Sequence, residues 1–248
     1  MLHTLIRRVA PVAVLALGAV ATAGCNGNVR FGDSEGVPLA ELDRSGAAPT
    51  ELVLAGPDNV TVVEGGAFDI AVSGDQRAVD ALRFSLEDGS LAIARERNAG
   101  SKIGKADVRV TTPSLAAIVL AGSGTVDAQR LTGDVEATIA GSGLVRAREI
   151  AAQKLDLTIA GSGGFEGAGT TDRLDLTIAG SGSGRMAQLR AGSADVSVVG
   201  SGSAEFHSDG KVDASIMGSG DVTVNGDAEC SVSKMGSGSV RCRTVRSD

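Results

Sequence analysis

The residues best suited to chemistry in this sequence are carboxylates and hydroxyls at fixed distances from a repeated glycine triplet. In five consecutive repeats an acidic residue stands five positions before the triplet, and Thr or Ser stands three positions before it. The acids are Glu136, Asp156, Asp175, Asp195 and Asp213; the hydroxyl residues are Thr138, Thr158, Thr177, Ser197 and Ser215. Hard divalent cations prefer oxygen ligands, so one interpretation is a cation or ligand site. The other is a solvated acidic face that keeps the protein soluble and prevents sheets from pairing sideways.

Other candidates for catalysis or metal binding are few. His207 and His3 are the only histidines, and the hydrophilic stretch around His207 predicts a loop residue rather than a member of a catalytic triad. A zinc site lacks ligands, because the chain has only three cysteines, at positions 25, 230 and 242. The sequence therefore predicts no catalytic residue, no metal and no cofactor.

The triplet Gly-Ser-Gly recurs at intervals of 18 to 20 residues. Its first glycines are Gly122, Gly141, Gly161, Gly180, Gly200, Gly218 and Gly236. Apolar residues stand six, four and two positions before the triplet and resume four and six positions after it, which predicts a strand, a glycine turn and a strand in each repeat. Such repeats bury their apolar face only by stacking. The pattern therefore predicts an all-β, single-domain solenoid with equivalent residues about 4.8 Å apart along its axis.

The glycines are expected at the corners of the coils, where positive φ or close backbone approach excludes larger residues. A phosphate-binding loop is not predicted, because such a loop leads into a helix and each triplet here leads into a strand. The 248 residues include no Trp, no Tyr and five Phe, so Val, Ile, Leu and Ala are predicted to fill the interior. The net charge of -7 argues against a nucleic-acid partner.

Residues 51–113 alternate in the same way but lack the triplet, and are predicted to be the irregular first part of the same domain. Asp88-Gly89 indicates a hairpin turn, and Ala78 to Leu82 is predicted to form one helical turn. The predicted domain covers residues 51–245, with regular repeats over residues 114–245.

The first 24 residues predict an export signal, because two arginines precede an uncharged segment too short to span a membrane. Its end resembles a bacterial lipobox, in which Cys25 is lipidated; ordinary cleavage after Ala23 is the alternative. The first outcome gives an outer membrane lipoprotein of the cell envelope, and the second a periplasmic or secreted protein. Residues 25–50 are predicted to be the lipidated cysteine and a flexible tether, with the alternative that part of this segment caps the domain.

The cysteines of the last repeat are informative in an exported protein. Cys230 lies six positions before Gly236, and Cys242 lies six positions after it. If the two strands face each other across the corner, the pair forms a disulfide that closes the C-terminal end of the domain. The alternative is a pair of buried thiols. Lys234 also indicates an end coil, because it occupies a position where earlier repeats have Ile or Val.

The order of segments resembles a known family. Residues 60–65, 68–72, 88–93 and 108–115, followed by repeated Gly-Ser-Gly, are similar to the putative autotransporter adhesin head GIN domain family over about residues 51–245. This resemblance implies a β-helix-like solenoid in an exported bacterial protein and implies no catalytic residue.

Together these features predict a non-enzymatic binding or structural module of the bacterial envelope, with an adhesin-like role as one expectation. Its predicted partners are a membrane, through the lipid anchor, and a surface ligand that is a protein or a glycan. Two alternatives remain open. A carbohydrate-active β-helix enzyme would use pairs of outward carboxylates that converge in a cleft, and a self-assembling solenoid would associate end to end.

Overall fold

The computed structural model describes residues 36–96, 99 and 103–243, and this part of the chain is an all-β solenoid. Its strands pair in parallel with equivalent residues opposite each other: Ile159 lies between Ile139 and Ile178. The prediction of stacked repeats is therefore confirmed. The predicted signal peptide, Cys25 and the first part of the tether lie outside the described residues.

The described residues form sixteen strands, one α-helix and one 3-10 turn. The strands are β1 Glu51–Gly56, β2 Asn59–Glu64, β3 Asp69–Gly74, β4 Leu82–Glu87, β5 Ser90–Arg95, β6 Ala106–Thr112, β7 Ala117–Gly122, β8 Thr125–Gly141, β9 Leu144–Gly161, β10 Gly164–Gly180, β11 Ser183–Gly200, β12 Ser203–Ser208, β13 Lys211–Gly218, β14 Asp221–Asn225, β15 Glu229–Gly236 and β16 Ser239–Arg243. The helix α1 is Gln76–Asp80, and the 3-10 turn is Leu39–Glu41. No helix in this part of the chain is long and apolar enough to cross a membrane.

Each regular coil has two sides that meet at a Gly-Ser-Gly corner. Side A is the segment that leads into the triplet, and side B is the segment that follows it. Each triplet separates two consecutive strands, as predicted, but in β8 to β11 side B of one corner continues into side A of the next as a single strand. The extra residue of a 20-residue coil is accommodated as a register shift, as between Gly133 and Asp134. In the shorter 18-residue coils the ladder stops between Ser208 and Lys211, and the strands are separate.

The interior is filled by inward columns of Leu, Ile, Val and Ala, as the alternation predicts. One expectation was wrong: Phe84, Phe165 and Phe206 are also fully buried and are the largest side chains in the core. Small neighbours make room for them. A Cβ on Gly167 would lie 2.8 Å from the ring of Phe165, so the missing side chain provides the space that the ring fills.

The stack begins earlier than the triplets indicate. Strands β1 and β2 form a coil that lies against β7 and β8, with Gly56 opposite Gly122 and Asn59 opposite Thr125. The corner of this coil is Gly56-Pro57-Asp58, a variant that keeps only the first glycine of the triplet. Strands β5 and β6 form a further coil on the other side of β1 and β2. The stack therefore includes strands from residue 51 onward, although this first part lacks the regular spacing of the later repeats.

Antiparallel strands close the N-terminal end of the stack. Strand β4 pairs with β5 through the predicted hairpin, where Asp88 and Gly89 both have positive φ, and β3 pairs with β6. Helix α1 begins two residues earlier than predicted, because the Asp75 carboxylate accepts hydrogen bonds from the amides of Arg77 and Ala78. It also ends earlier, since Leu82 already belongs to β4.

Part of the predicted tether belongs to this end. Val37 and Phe84 exchange two backbone hydrogen bonds of 2.8 Å, which cover the edge of β4. Leu39 and Leu42 pack against the core, and the Thr112 hydroxyl donates to the Pro49 carbonyl. The tether predicted over residues 25–50 therefore contacts the domain from residue 36 onward, as the capping alternative describes.

Candidate ligand-binding face

The structure brings the five predicted acids into one outward file on side A. Each pairs with its neighbour in the next coil, in the order Glu136, Asp156, Asp175, Asp195 and Asp213. The hydroxyl residues form a second file beside it. Side A therefore presents two parallel rows of polar side chains, repeated at the coil spacing of about 4.8 Å.

The C-terminal part of these two files lines a shallow, open groove with a volume of about 380 Å³. Its carboxylates belong to Asp175, Asp195 and Asp213. Its hydroxyls belong to Thr177, Ser197, Ser215, Ser231 and Ser233. The groove thus combines hydrogen-bond acceptors with groups that both donate and accept.

Two basic side chains pair with the three middle acids of the file. The Lys154 Nζ lies 2.7 Å from Asp156 Oδ2 and 3.0 Å from Asp175 Oδ2. The Arg173 Nε lies 2.9 Å from Asp175 Oδ1, and the Arg173 Nη2 contacts Asp195. Burial raises the pKa of Asp175, but hydrogen bonds from Lys154 and Arg173 outweigh it and hold that pKa below its ordinary value. Hydrogen bonds to Asp156 and Asp175 raise the pKa of Lys154.

This compensation ends toward the C-terminal coils. Ser193 takes the position beside Asp195 that Arg173 occupies one coil earlier. Lys211 stands two residues before Asp213, but no salt bridge joins them, and Asp213 has no side-chain partner among residues 36–96, 99 and 103–243. The groove therefore becomes more acidic toward its C-terminal end.

The outward charges of side B alternate in sign from coil to coil. Its outward file, five positions after the first glycine of each corner, alternates in sign through Asp127, Arg146, Glu166, Arg185 and Glu205. The Arg146 Nε lies 2.9 Å from Glu166 Oε2, and the Arg185 Nη1 lies 3.2 Å from Glu166 Oε1. Side B thus neutralises its own charges between coils, whereas side A stacks like charges.

The acid file does not form the converging ligand set that a divalent cation takes. Within the described part of the chain, no three His, Cys, Asp or Glu side chains come together as a possible metal site. The carboxylates lie in a row, one per coil, and Lys154 and Arg173 bridge the middle ones. The metal interpretation of Glu136, Asp156, Asp175, Asp195 and Asp213 therefore has no support in this geometry.

His207 lies in strand β12, not in a loop, because its backbone continues the ladder by pairing with Asn225. Its Nε2 is 3.0 Å from Arg190 Nη1 and 3.2 Å from Asp209 Oδ2. Hydrogen bonds from the Asp227 amide and from His207 lower the pKa of Asp209. The cluster is on side B, away from the groove on side A.

The corner glycines occupy the predicted positions. The first glycine of every Gly-Ser-Gly triplet has φ between +118° and +128°. A Cβ on each would lie 2.2 to 2.8 Å from the carbonyl oxygen of the corresponding glycine in the adjacent coil. The column thus combines positive φ with close backbone contact. These glycines are Gly122, Gly141, Gly161, Gly180, Gly200, Gly218 and Gly236.

Cys230 and Cys242 are joined by a disulfide across the last corner. Cys230 is partly buried against the core, and Cys242 is exposed, because β15 and β16 form the last coil that the structure describes. Lys234 lies opposite Ile216 and occupies the inward column. The disulfide therefore connects the two sides of this end coil.

The sequence analysis missed a buried ion pair. Asp58 is 1% exposed, and its Oδ2 and Oδ1 lie 2.7 and 2.5 Å from Arg95 Nε and Nη2. The Ala106 amide donates to Asp58 Oδ1, and Arg95 Nη2 also donates to the Gly104 carbonyl. The pair ties the first corner to the β5–β6 coil. The sequence offered one signal for this pair: Asp58 occupies the corner position that is glycine in later coils, as Gly124 is in the next one.

Comparisons with known proteins agree with this fold. The family model described as "Putative auto-transporter adhesin, head GIN domain" matches residues 48–228. A crystal structure of a putative adhesin from Bacteroides fragilis NCTC 9343 has 23% identity and a TM-score of 0.72, and the match covers 78% of this chain and 92% of that one. A putative lipid binding protein from Parabacteroides distasonis ATCC 8503 has 24% identity and a TM-score of 0.61, with 81% and 94% covered. A putative adhesin from Parabacteroides merdae ATCC 43184 has 20% identity and a TM-score of 0.63, with 78% and 91% covered. No curated protein matches the chain.

Proposed function

We propose that this chain, which belongs to the putative auto-transporter adhesin head GIN domain family, is a non-enzymatic binding module of the bacterial cell surface. Its ligand-contacting surface is the groove on side A. The observation that carries this proposal is the contrast between the two sides. Side B alternates its charges and neutralises them, while side A keeps acids in five consecutive coils.

The contrast matters because stacked like charges are costly. Two unit charges about 4 Å apart in water repel by about 1 kcal/mol before salt screening. Side B shows that the same scaffold accommodates alternating charges at equivalent distances, as in Arg146 and Glu166. On side A, Lys154 and Arg173 offset part of this repulsion, but the acid file keeps Asp213 without a basic partner among the described residues, beside a file of hydroxyls. This arrangement favours a surface that receives hydrogen-bond donors from a partner.

The chemistry of the groove favours a glycan. Carboxylates accept hydrogen bonds from sugar hydroxyls, and Ser and Thr hydroxyls donate and accept. The chain has no Trp and no Tyr, so binding depends on hydrogen bonds and not on stacking against those rings. Such contacts are weak singly and add up when a repeating ligand meets a repeating surface. The carboxylates and hydroxyls that line the groove favour a glycan over a lipid, the ligand class in the name of the Parabacteroides distasonis protein.

The enzymatic alternative is less well supported. Glycoside hydrolysis uses two carboxyl groups on opposite sides of the scissile bond, one of them with a raised pKa so that it can donate a proton. The side A acids lie in one row along one face, and the pKa of Asp175 is lowered by Lys154 and Arg173. This arrangement favours binding without catalysis.

We also propose that the protein is exported and attached to the outer membrane by a lipid on Cys25, so that the membrane is one of its partners. The leader over residues 1–24 and the adhesin description of the family support this location. Ordinary cleavage after Ala23 would give a periplasmic or secreted protein instead. The mass of the mature N-terminus decides between a lipidated Cys25 and a free Gly24.

The binding proposal is tested on immobilised polysaccharides with a matched pair of variants. The triple variant Asp175→Asn, Asp195→Asn and Asp213→Asn neutralises the groove, and we expect it to lose at least tenfold in apparent affinity. The control carries Asp127→Asn, Glu166→Gln and Glu205→Gln on side B, which removes the same number of charges, and should bind as the wild type does. Equal losses in both variants, or binding to polylysine but to no polysaccharide, would contradict the proposal.

A further inference from the structure

The two ends of the solenoid differ. At the N-terminal end the antiparallel strands β3 and β4 close the stack, and the hydrogen bonds between Val37 and Phe84 cover the edge of β4. At the C-terminal end, β15 pairs only with β13 and β16 only with β14 within the described residues. The free edge of β15 on side A and the free edge of β16 on side B therefore both face the C-terminal end of the stack.

The exposed apolar side chains are concentrated near this open end. In the part of the chain that the structure describes, the exposed large hydrophobic residues are Val199, Met217, Val232 and Met235, at 47%, 55%, 48% and 71%. All lie in the last three coils, and the last two lie on β15 itself. In the outward column beside the corner, alanine in four earlier coils gives way to Val199, Met217 and Met235. Val232 and Met235, which lie on β15 at the open edge, are the members of this group that mark a contact surface there.

The backbone of β15 is also available for pairing. The Glu229 amide donates to the Gly210 carbonyl in the preceding coil, at 2.9 Å. Backbone groups alternate in direction along a strand, so the amides and carbonyls of Cys230, Val232 and Lys234 point toward the open end. The disulfide holds this end coil together and keeps both edges in place.

We propose that the C-terminal end is the interface of a tail-to-tail dimer, in which β15 of each copy pairs antiparallel with β16 of the other. A two-fold axis parallel to the strands places β15 over the partner's β16, and these strands run in opposite directions. A second copy matches both edges at once, whereas a single extended peptide covers only one of them. This proposal is independent of the groove on side A.

The charges of the two strands favour pairing β15 with the partner's β16 over pairing β15 with the partner's β15 and β16 with the partner's β16. Strand β15 carries Glu229, and β16 carries Arg241 and Arg243 on its outward face. Pairing β15 with β16 sets the acid against the basic strand, whereas pairing β16 with itself sets arginines opposite each other. The inward Val232 then continues the apolar interior into the partner. Lys234 keeps the free end soluble and limits the affinity.

The geometry also limits the size of the assembly. Two edges of eight and five residues bury less than a standard interface of about 1,200–2,000 Å², so the dimer should dissociate on dilution. The interface is isologous, so each copy uses its C-terminal end once; the N-terminal end, where β3 pairs only with β6 among the described residues and Val37 covers part of β4, takes no part in it. The contact therefore closes with two copies and does not extend into a filament.

Sedimentation velocity over a concentration series tests the proposal on the mature chain carrying Cys25→Ser, which removes the lipid. We expect a reversible equilibrium between monomer and dimer with a Kd on the order of micromolar. Val232→Lys should weaken the dimer at least tenfold. The matched control is Val199→Lys, since Val199 has the same side chain and nearly the same exposure, 47% against 48%, but lies two coils away from the edge. It should leave the dimer intact.

Three results would overturn the inference: a monomer at every concentration, growth beyond a dimer, or equal losses in the two lysine variants. If Val232→Lys fails to fold, as judged by circular dichroism, charge reversal decides instead. Arg243→Glu should weaken the dimer severalfold, and adding Glu229→Arg should restore it. Failure of the double variant to recover would exclude pairing of β15 with β16.

Discussion

Replacing Gly161 by alanine tests whether the corner glycines set the distance between coils. Gly161 has φ +119°, and an added Cβ would lie 2.5 Å from the Gly141 carbonyl oxygen and 3.2 Å from its carbonyl carbon. A non-glycine residue in such a backbone region costs about 1–3 kcal/mol. Overpacking against a neighbour that cannot rotate away costs about 1–3 kcal/mol more. We therefore expect Gly161→Ala to lower the free energy of unfolding by about 2–6 kcal/mol.

The matched control is Gly133→Ala. Gly133 has φ +86°, but nothing lies within 4 Å of its added Cβ, so only the backbone cost of about 1–3 kcal/mol applies. Gly46→Ala, with no positive φ and no neighbour within 4 Å, should leave stability unchanged. The difference between Gly161→Ala and Gly133→Ala isolates the contact between coils.

Urea unfolding followed by far-ultraviolet circular dichroism measures these differences, because the chain has no Trp or Tyr for fluorescence. Midpoints and slopes should both be compared, since long repeat arrays lose cooperativity. Equal losses for Gly161→Ala and Gly133→Ala would refute the contact argument and leave backbone conformation as the whole reason for the glycines.

Three further predictions concern charges and the end coil. Asp58→Ala should destabilise the domain by about 3–5 kcal/mol, because it leaves the Arg95 guanidinium buried without its partner; thermal melting measures this. Reduction or replacement of Cys230 and Cys242 should remove at most about 3 kcal/mol, and hydrogen exchange should increase in β15 and β16 but not in β9. Lys154→Met should cost at most about 1 kcal/mol at pH 7, and nothing at pH values low enough to protonate Asp175. The sign follows from the lowered pKa of that carboxyl: its contribution is present above the ordinary value of 3.8 and is lost as the pH falls through the folded value. A melting curve of Lys154→Met that differs from wild type equally at both pH values would contradict this.

The stacked coils were predictable because the triplets and the alternating apolar residues repeat with one period. The first corner was not predictable, because Gly56-Pro57-Asp58 keeps only the first glycine of the triplet. In addition, the order of the coils along the chain differs here from their order in the stack. The coil of β5 and β6 follows β1 and β2 in sequence but lies on their far side from β7. The buried rings were missed for a related reason. The ring of Phe165 fills space that Gly167 leaves on the same strand, and the sequence pattern alone does not show that these two residues share one space.

The candidate site was predictable as a row of residues but not as a set of contacts. Spacing alone placed Asp156, Asp175 and Asp195 in one file. It did not show that Lys154 and Arg173 bridge successive acids, because that depends on side-chain directions across coils. The alternating charges of side B, by contrast, can be recognised in the sequence, because they stand five positions after the first glycine of each triplet. Comparing the two sides at the sequence level would have revealed the contrast that now supports the proposed function.

The column of corner glycines also determines how this protein can change in length. Removing residues 142–161 would join Gly141 to Ser162, and the coils on either side would meet with every column still aligned. Removing only part of a coil would move the next corner glycine out of its column, and removing an odd number of residues within a strand would also turn inward side chains outward. The molecule can therefore be shortened or extended only in whole coils, and each increment adds or removes one carboxylate and one hydroxyl. The length of the proposed binding surface therefore changes in steps of one coil.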